Sequence, residues 1–371
     1  VIPLVDLAAQ HAEVAEVVDI GFRAVLTETA FVGGPHVAAF EQAFADYTGR
    51  RACVGVANGT DALELVLRAN GVGPGDEVIV PAATFIATAE APARLGASVV
   101  VVDVDPDHLL IDPEQVARHL TPRTKAVIAV HLYGQLAPMD ELARVVAGHD
   151  IVLVEDAAQA QGARRNHLGI GSWSQAAATS FYPGKNLGAY GDAGAVVTDD
   201  EQLADRVRVL ANHGSRRRYD HEVLGGNSRL DALQAVVLSA KLAHLDEWNM
   251  ARRRAARRYD ESLSGHPSIA LPRYHDGPDH VWHLYTVRVP ERDAVLDHLH
   301  RNGIGAGIHY PVPVHRCAPF ANSAPWGCPV AERAAGELLS LPLHPHVTPE
   351  AQDRVVDTLL TALTRPLKGV S

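Results

Sequence analysis

The sequence predicts an α/β protein: a large N-terminal unit built on a mainly parallel sheet, residues 1–245, and a smaller C-terminal α+β unit, residues 246–371. Three observations predict it. Between about residue 50 and residue 200, short β-branched runs recur without polar alternation inside them, as in strands buried on both faces. Helical patterns and Gly/Pro turns separate the runs. Polar residues collect just after them, and open α/β sheets bind ligands beyond the carboxyl ends of their strands.

In chain order, Ala57-Asn58-Gly59-Thr60-Asp61-Ala62-Leu63 is a turn opening an amphipathic helix, with Leu63, Val66 and Leu67 on its apolar side. The predicted strands are Val78–Val80, Val99–Val102, Ala126–Val130, Ile151–Val154, Ala178–Phe181 and Ala195–Thr198. Asp103 and Asp105, His131, then Glu155 and Asp156 follow three of them, either lining one site or serving as caps and turn residues. Beyond Thr198 the pattern turns helical over Glu201–Ala211 and then from Leu230 through Tyr259, a connector rich in Ala, Leu and Arg. From about His266 the chain breaks into Pro-punctuated runs, Trp282–Val289 and Ala306–Tyr310, with helices expected over Arg292–Asn302 and Val330–Leu339. Pro366–Ser371 reads as a frayed end.

Composition narrows the function. The 371 residues are 47% hydrophobic and 21% charged, enough apolar material for a sizeable core, which excludes wholesale disorder and fibrous classes. A net charge of −11 gives no general attraction to nucleic acid or anionic membranes. Three cysteines at no ligand-like spacing argue against a disulfide framework or a Cys-rich zinc site. With no signal-like N-terminus and no membrane-length apolar run, a cytoplasmic location is expected. The scattered histidines lack the helical spacing of a metal site, so no metal is expected.

Lys125, Lys185, Lys241 and Lys368 are the only lysines among 33 basic residues. One of them sits in Ser180-Phe181-Tyr182-Pro183-Gly184-Lys185-Asn186-Leu187-Gly188, a Gly/Pro-rich turn directly after a buried strand. A lysine partly desolvated there loses proton affinity and becomes a usable amine. The alternative is a surface lysine in a loop. In Val154-Glu155-Asp156-Ala157-Ala158-Gln159 a carboxylate ends a strand and an amide follows three positions on, either facing one cavity or marking a helix start. Backbone N–H groups at Gly59 and Thr60 can hold a phosphate, provided that Asp61 turns aside to cap the helix.

These pieces, in this order, resemble the DegT/DnrJ/StrS family of sugar aminotransferases, fold-type-I enzymes of the aspartate aminotransferase type that use pyridoxal 5'-phosphate (PLP). The resemblance covers nearly the whole chain. It runs from Phe31-Val32-Gly33-Gly34 through Asn58–Leu63, Thr84-Phe85-Ile86-Ala87-Thr88, His131-Leu132-Tyr133-Gly134 and the Asp156 and Lys185 motifs. It ends with Gly226-Asn227-Ser228-Arg229-Leu230-Asp231 and His309-Tyr310-Pro311-Val312-Pro313-Val314-His315. It implies Lys185 as the Schiff-base lysine, Asp156 on the pyridine nitrogen, Gln159 near the ring hydroxyl and Phe85 stacked on the ring. Gly59, Thr60 and Ser180 would hold the cofactor phosphate, joined by Asn227 of a second subunit, so that a homodimer shares each site. The implied reaction moves an amino group from L-glutamate to a nucleotide-linked keto-6-deoxy sugar. The stretch Gly214-Ser215-Arg216-Arg217-Arg218-Tyr219 resembles the branch that aminates C3 of dTDP-sugars more than the C4 branch. Tyr182, His309, Tyr310 and His315 fall on loops near the sugar, although Tyr310 and His315 would equally brace a Pro-rich turn. The chain departs from the family at Ala129, where proline is usual, and at Gln161, where histidine is usual.

Other readings compete. A PLP-dependent sugar dehydratase would carry histidine in place of Lys185. A ketocyclitol aminotransferase shares the same cofactor motifs. A non-catalytic regulator that binds nucleotide or nucleic acid would use Arg216-Arg217-Arg218 and the arginines of residues 252–258, but these lack the interleaved aromatics of such sites. Gly71-Val72-Gly73-Pro74-Gly75 precedes a strand, whereas a dinucleotide loop must follow one.

Overall fold

The computed structural model describes residues 1–217, 219–275 and 277–364. Arg218 and the expected frayed end at Pro366–Ser371 lie outside the described residues. Two helices come first, α1 (Leu7–Glu28) and α2 (Pro35–Thr48). A seven-stranded sheet follows, made of β1 (Ala52–Val56), β2 (Glu77–Pro81), β3 (Ser98–Val102), β4 (Thr124–Val130), β5 (Val152–Asp156), β6 (Ala176–Ser180) and β7 (Gly194–Thr198). Helices α3 (Gly59–Ala69), α4 (Ala87–Arg94), α5 (Pro113–Arg118) and α6 (Met139–Val146) link its strands, and α7 (Glu201–Ala211) leaves it.

The strand order is β1-β7-β6-β5-β4-β2-β3. From β3 to β6 all pairings are parallel, and β7 runs antiparallel to both β6 and β1. The expected mainly parallel sheet is therefore present. Its strands carry the unbroken apolar text that two covered faces require. Apolar cores lie on its two faces: Val54, Val80, Ile128, Val154 and Val196 pack on one side, and Cys53, Ala177, Ala195 and Val197 on the other.

Beyond the sheet, the helical stretch expected from Leu230 through Tyr259 is two helices, α8 (Ala232–Leu242) and α9 (Leu245–Leu263), broken at Ala243 and His244. The C-terminal part holds β8 (Tyr285–Arg288), α10 (Arg292–Arg301), α11 (Pro329–Glu337), β9 (Leu338–Leu341) and α12 (Pro349–Thr364). Strands β8 and β9 form an antiparallel ribbon. The end of the helix expected over Val330–Leu339 is thus strand from Leu338 onward, paired with Arg288. Ala306–Tyr310 forms no strand; Gly307 makes an isolated bridge to Ser340. Tyr259, Tyr285, Val287, Leu299, Leu339 and Leu359 share a third core with Ile2, so the extreme N-terminal segment packs with the C-terminal elements. No helix among the described residues is long and apolar enough to cross a membrane.

Candidate active site

Asp156 is the last residue of β5, only 7% exposed, at the carboxyl end of the parallel strands. Thr88 Oγ1 donates to its Oδ2 at 2.7 Å, and the Ala158 N–H donates to its Oδ1 at 3.2 Å. Because the Thr88 proton is committed to Asp156, the 2.7 Å contact between the hydroxyls is Thr84 donating to Thr88. This relay sets the rotation of the carboxylate. Glu155, one residue earlier, points to the opposite face, as strand alternation demands. There it accepts from His131 Nε2 at 2.9 Å, the Gly171 N–H at 2.8 Å and Ser174 Oγ at 2.8 Å. His131 Nδ1 accepts the Ala137 N–H, so the ring proton sits on Nε2.

The polar strand endings therefore divide. Asp156 faces the site, whereas His131 and Glu155 form a buried pair beneath it. Asp103 accepts the first N–H groups of α11, from Val330 at 2.9 Å and Ala331 at 3.0 Å. Asp105 holds the turn at Asp107 and His108.

Lys185 sits on a turn closed at its base by Ala189 N–H donating to the Phe181 carbonyl at 2.7 Å. Burial holds its amine down to about 8, with the Asp156 charge pulling the other way, which places the two groups in one electrostatic neighbourhood. His283 is pushed well down by burial and by Lys185, and it contacts Asn186 Oδ1 at 3.2 Å. Burial and Lys185 likewise push His309 down to about 4; its Nδ1 contacts Ser340 Oγ at 2.9 Å. Both imidazoles are neutral near pH 7.

Gln159 bridges the wall: its Oε1 accepts the Tyr133 N–H at 2.5 Å and its Nε2 donates to Tyr310 Oη at 3.1 Å. Tyr133 in turn donates its hydroxyl proton to the His309 carbonyl. This turn requires Gly134, at φ 99°, where a Cβ would lie 3.0 Å from the Gln159 carbonyl oxygen and from the His283 nitrogen. Phe85 is half exposed, its ring centroid 5.5 Å from that of Tyr310. Tyr182 is exposed.

At the start of α3, Asn58 accepts the Asp61 N–H at 2.8 Å, leaving the Gly59 and Thr60 N–H groups without intrahelical acceptors. A Cβ on Gly59 would lie 2.6 Å from Ser180 Cβ, so the helix start and the end of β6 press together into one cradle. Asp61 does not cap the helix; it turns toward Arg94, 3.7 Å away, and leaves the cradle free of a carboxylate. Gln161, at one departure position, donates to the Ser180 carbonyl at 2.7 Å and to Thr179 Oγ1 at 2.9 Å, supporting the strand end behind that cradle.

Two expected site residues lie apart. His315 is 4% exposed, its Nε2 bonded to Glu332 on α11 at 2.9 Å, in the bracing position. Asn227 is exposed, and its backbone bridges to Asn212. The arginine runs are engaged elsewhere. Arg216 pairs with Asp205 and Glu222, and buried Arg252 donates to the Leu343 carbonyl at 2.9 Å, so this part of α9 is no solvated face. Thr88 and His283 carry no role in the sequence reading, which names His131 and Glu155 only as strand endings, not as a pair. Thr84 and Thr88, four apart at the entry to α4, are the signal from which the relay could have been read. No group of three or more His, Cys, Asp or Glu placed to hold a metal occurs among the described residues.

A buried acid at a strand end, a desolvated lysine and an anion cradle on one sheet edge fit PLP, and they define a class: the PLP-dependent aminotransferases of the aspartate aminotransferase type. The chain belongs to the DegT/DnrJ/EryC1/StrS aminotransferase family, whose pattern matches residues 14–360. It is 49% identical over 96% of its length to the erythromycin biosynthesis sensory transduction protein EryC1 of Saccharopolyspora erythraea, covering 98% of that protein. It is 47% identical to the dTDP-3-amino-3,4,6-trideoxy-alpha-D-glucose transaminase of Streptomyces venezuelae, over 96% of this chain and 95% of that one. The crystal structure of S. venezuelae DesV in complex with a ketimine intermediate superposes with a TM-score of 0.95 at 47% identity, covering 98% and 99% of the two chains.

Proposed function

We propose that this aminotransferase moves an amino group from L-glutamate to C3 of a dTDP-linked keto-6-deoxy sugar, with Lys185 as the covalent anchor of PLP and its proton carrier. The observation that carries the reading is the placement of Lys185, on the turn after β6, and Asp156, at the end of β5, together at the carboxyl edge of the sheet, with desolvation lowering the amine to about 8. When bound, PLP supplies a protonated ring that draws electrons from the carbon losing or gaining the amine. Asp156, held in rotation by Thr88, would keep a proton on the pyridine nitrogen. Lys185, neutral in an appreciable fraction near pH 7 to 8, takes the proton from the donor carbon and returns it on the far side of the exchange. Gln159 and Phe85 orient the ring. The N–H groups of Gly59 and Thr60, with the Ser180 hydroxyl, take the phosphate, and Asn227 completes the cradle from a second subunit. Tyr182, His309 and Tyr310 meet the sugar; His309, neutral, offers its free ring nitrogen to a sugar hydroxyl.

The C3 and dTDP assignments rest on the names of relatives at 47% and 42% identity, both dTDP-3-amino-3,4,6-trideoxy-alpha-D-glucose transaminases. The dimer is supported by the exposed position of Asn227 and by Val17, Ile20 and Leu26, exposed apolar side chains on α1. We place the chain in the cytoplasm, where its three free cysteines stay reduced. The division at residue 245/246 falls at the start of α9.

The test is spectroscopic. Purified protein with PLP gives a visible band of lysine-bound cofactor, and L-glutamate converts it to the shorter-wavelength band of the aminated form. Acceptors are then offered side by side: a dTDP-3-keto sugar, a 4-keto sugar and a ketocyclitol. Conversion without turnover of any nucleotide sugar rejects the sugar assignment; absence of the visible band rejects the cofactor roles. A silent regulator gives neither band change.

A further inference from the structure

Behind the Gln159 wall, the loop after β3 and the open face of the β8–β9 ribbon enclose a small cavity. The pleat determines its far wall. Leu284, Thr286 and Arg288 line it, while Tyr285 and Val287 between them pack into the third core. His108, Tyr133 and Gln135 line the opposite side.

Three donors on this lining have no protein acceptor. The Arg288 guanidinium is half-buried and makes no hydrogen bond or ion pair among the described residues. The Thr286 hydroxyl, on a residue 6% exposed, is likewise without a partner there. Gln135 is 4% exposed and its Nε2 is buried with no acceptor. Of the three only Gln135 Nε2 is cut off from water, and leaving it unmet costs free energy; the Arg288 and Thr286 donors open onto the same space, so an acceptor ligand there meets all three. The charge balance gives the sign of that ligand. Arg273, also on the lining, pairs with Asp107 at 3.2 Å, which neutralises one cation and leaves Arg288 over. His280 adds no charge, since burial and Arg253 push it down to about 3.

We propose that this cavity binds a small oxyanion, of the inorganic phosphate or short carboxylate type, with Arg288 as counter-ion and Thr286 and Gln135 as neutral donors. The site adjoins the reaction wall through Tyr133, whose ring lines the cavity and whose N–H fixes Gln159. An occupant therefore props the segment that orients Gln159 and, through the Tyr133 hydroxyl, the His309 carbonyl. Binding itself does not depend on the assignment of sugar or amino donor.

Equilibrium dialysis of the PLP-loaded protein against labelled inorganic phosphate tests it, with the cofactor occupying its own phosphate cradle. One saturable site per chain is expected, weakened roughly tenfold or more in Arg288→Gln and by less in Thr286→Val. Competition by acetate separates the sources: displacement marks a carboxylate-tolerant site, and no displacement marks a phosphate-selective one. Absence of saturable binding, or binding that Arg288→Gln leaves unchanged, overturns the proposal. If Arg288→Gln fails to give the wild-type circular dichroism spectrum, the double variant Thr286→Val, Gln135→Leu is judged by the same criterion.

Discussion

At the scale of single residues, the decisive group in the proposed reaction is Lys185, and its chemistry is set by where the backbone leaves it. A lysine in water holds its proton to about pH 10.4, whereas burial lowers this one to about 8. The neutral amine is the reactive form, so capture of PLP by the cofactor-free protein should rise about tenfold per pH unit below 8 and level off above it. Stopped-flow absorbance across pH 6 to 10 checks this; a rate still climbing beyond pH 9 contradicts the shift. Lys185→Ala should abolish the visible band and lower turnover by roughly 10² to 10⁴-fold or more, the range that a positioned acid–base group contributes. Thr88→Val, which removes only the hydroxyl on Asp156 Oδ2, should keep the band and lower turnover by roughly tenfold. Lys185, Asp156, Gln159 and the Gly59 turn were legible in the sequence because each is a chemical residue type placed against a strand end or helix start. Thr88 and His283 were not, since a threonine in a helix and a histidine in a Pro-rich region act only through neighbours far away in sequence.

Whole elements explain the other gaps. Six predicted strands fell in place because apolar β-branched text has few other uses at that length, but β1 and β9 escaped. In β1 the run Ala52–Val56 is interrupted by Gly55, where a Cβ would lie 2.8 Å from Leu230 Cβ, so close approach replaced the usual side chain. In β9 the residues Leu338–Leu341 read as the continuation of α11, and only pairing with β8 makes them strand. The end of α11 is therefore set by tertiary contact, and so is its start. Asp103 at the tip of β3 accepts the Val330 and Ala331 N–H groups, a cap supplied from 227 and 228 residues away. Asp103→Ala should cost about 1 to 2 kcal/mol in urea unfolding, the range for a lost N-terminal cap, and Asp103→Asn should recover part of it. Gly59→Ala acts on α3 instead. Its added methyl meets Ser180 Cβ at 2.6 Å and forces the helix start away from β6. PLP affinity should fall by roughly tenfold in a fluorescence titration, and the unfolding midpoint should fall as well, since an overpacked contact costs about 1 to 3 kcal/mol.

On the scale of the whole molecule, one chain brings together the acid, the lysine, the amide and most of the proposed phosphate cradle, yet it leaves Asn227 exposed with its backbone tied to Asn212. The exposed apolar side chains of α1, Val17, Ile20 and Leu26, have no cover within the chain. The proposed two-fold dimer would account for both facts at once, because an isologous contact gives each chain what the other lacks. The geometry of such sharing has a consequence that no single-chain site can imitate. Lys185→Ala and Asn227→Ala variants are unfolded together, refolded as a mixture and assayed at a PLP concentration too low to load the Asn227→Ala site. In a mixed dimer one site then holds Ala at both positions, and the other holds the native Lys185 of one chain with the native Asn227 of its partner. Random pairing makes half the dimers mixed, each with one of two sites intact, so activity should return to about a quarter of wild type. If Asn227 served the Lys185 of its own chain, every site in the mixture would carry one lesion and nothing would return. Sedimentation of the mixture, showing a mass near twice 39.7 kDa, ensures that the pairing took place.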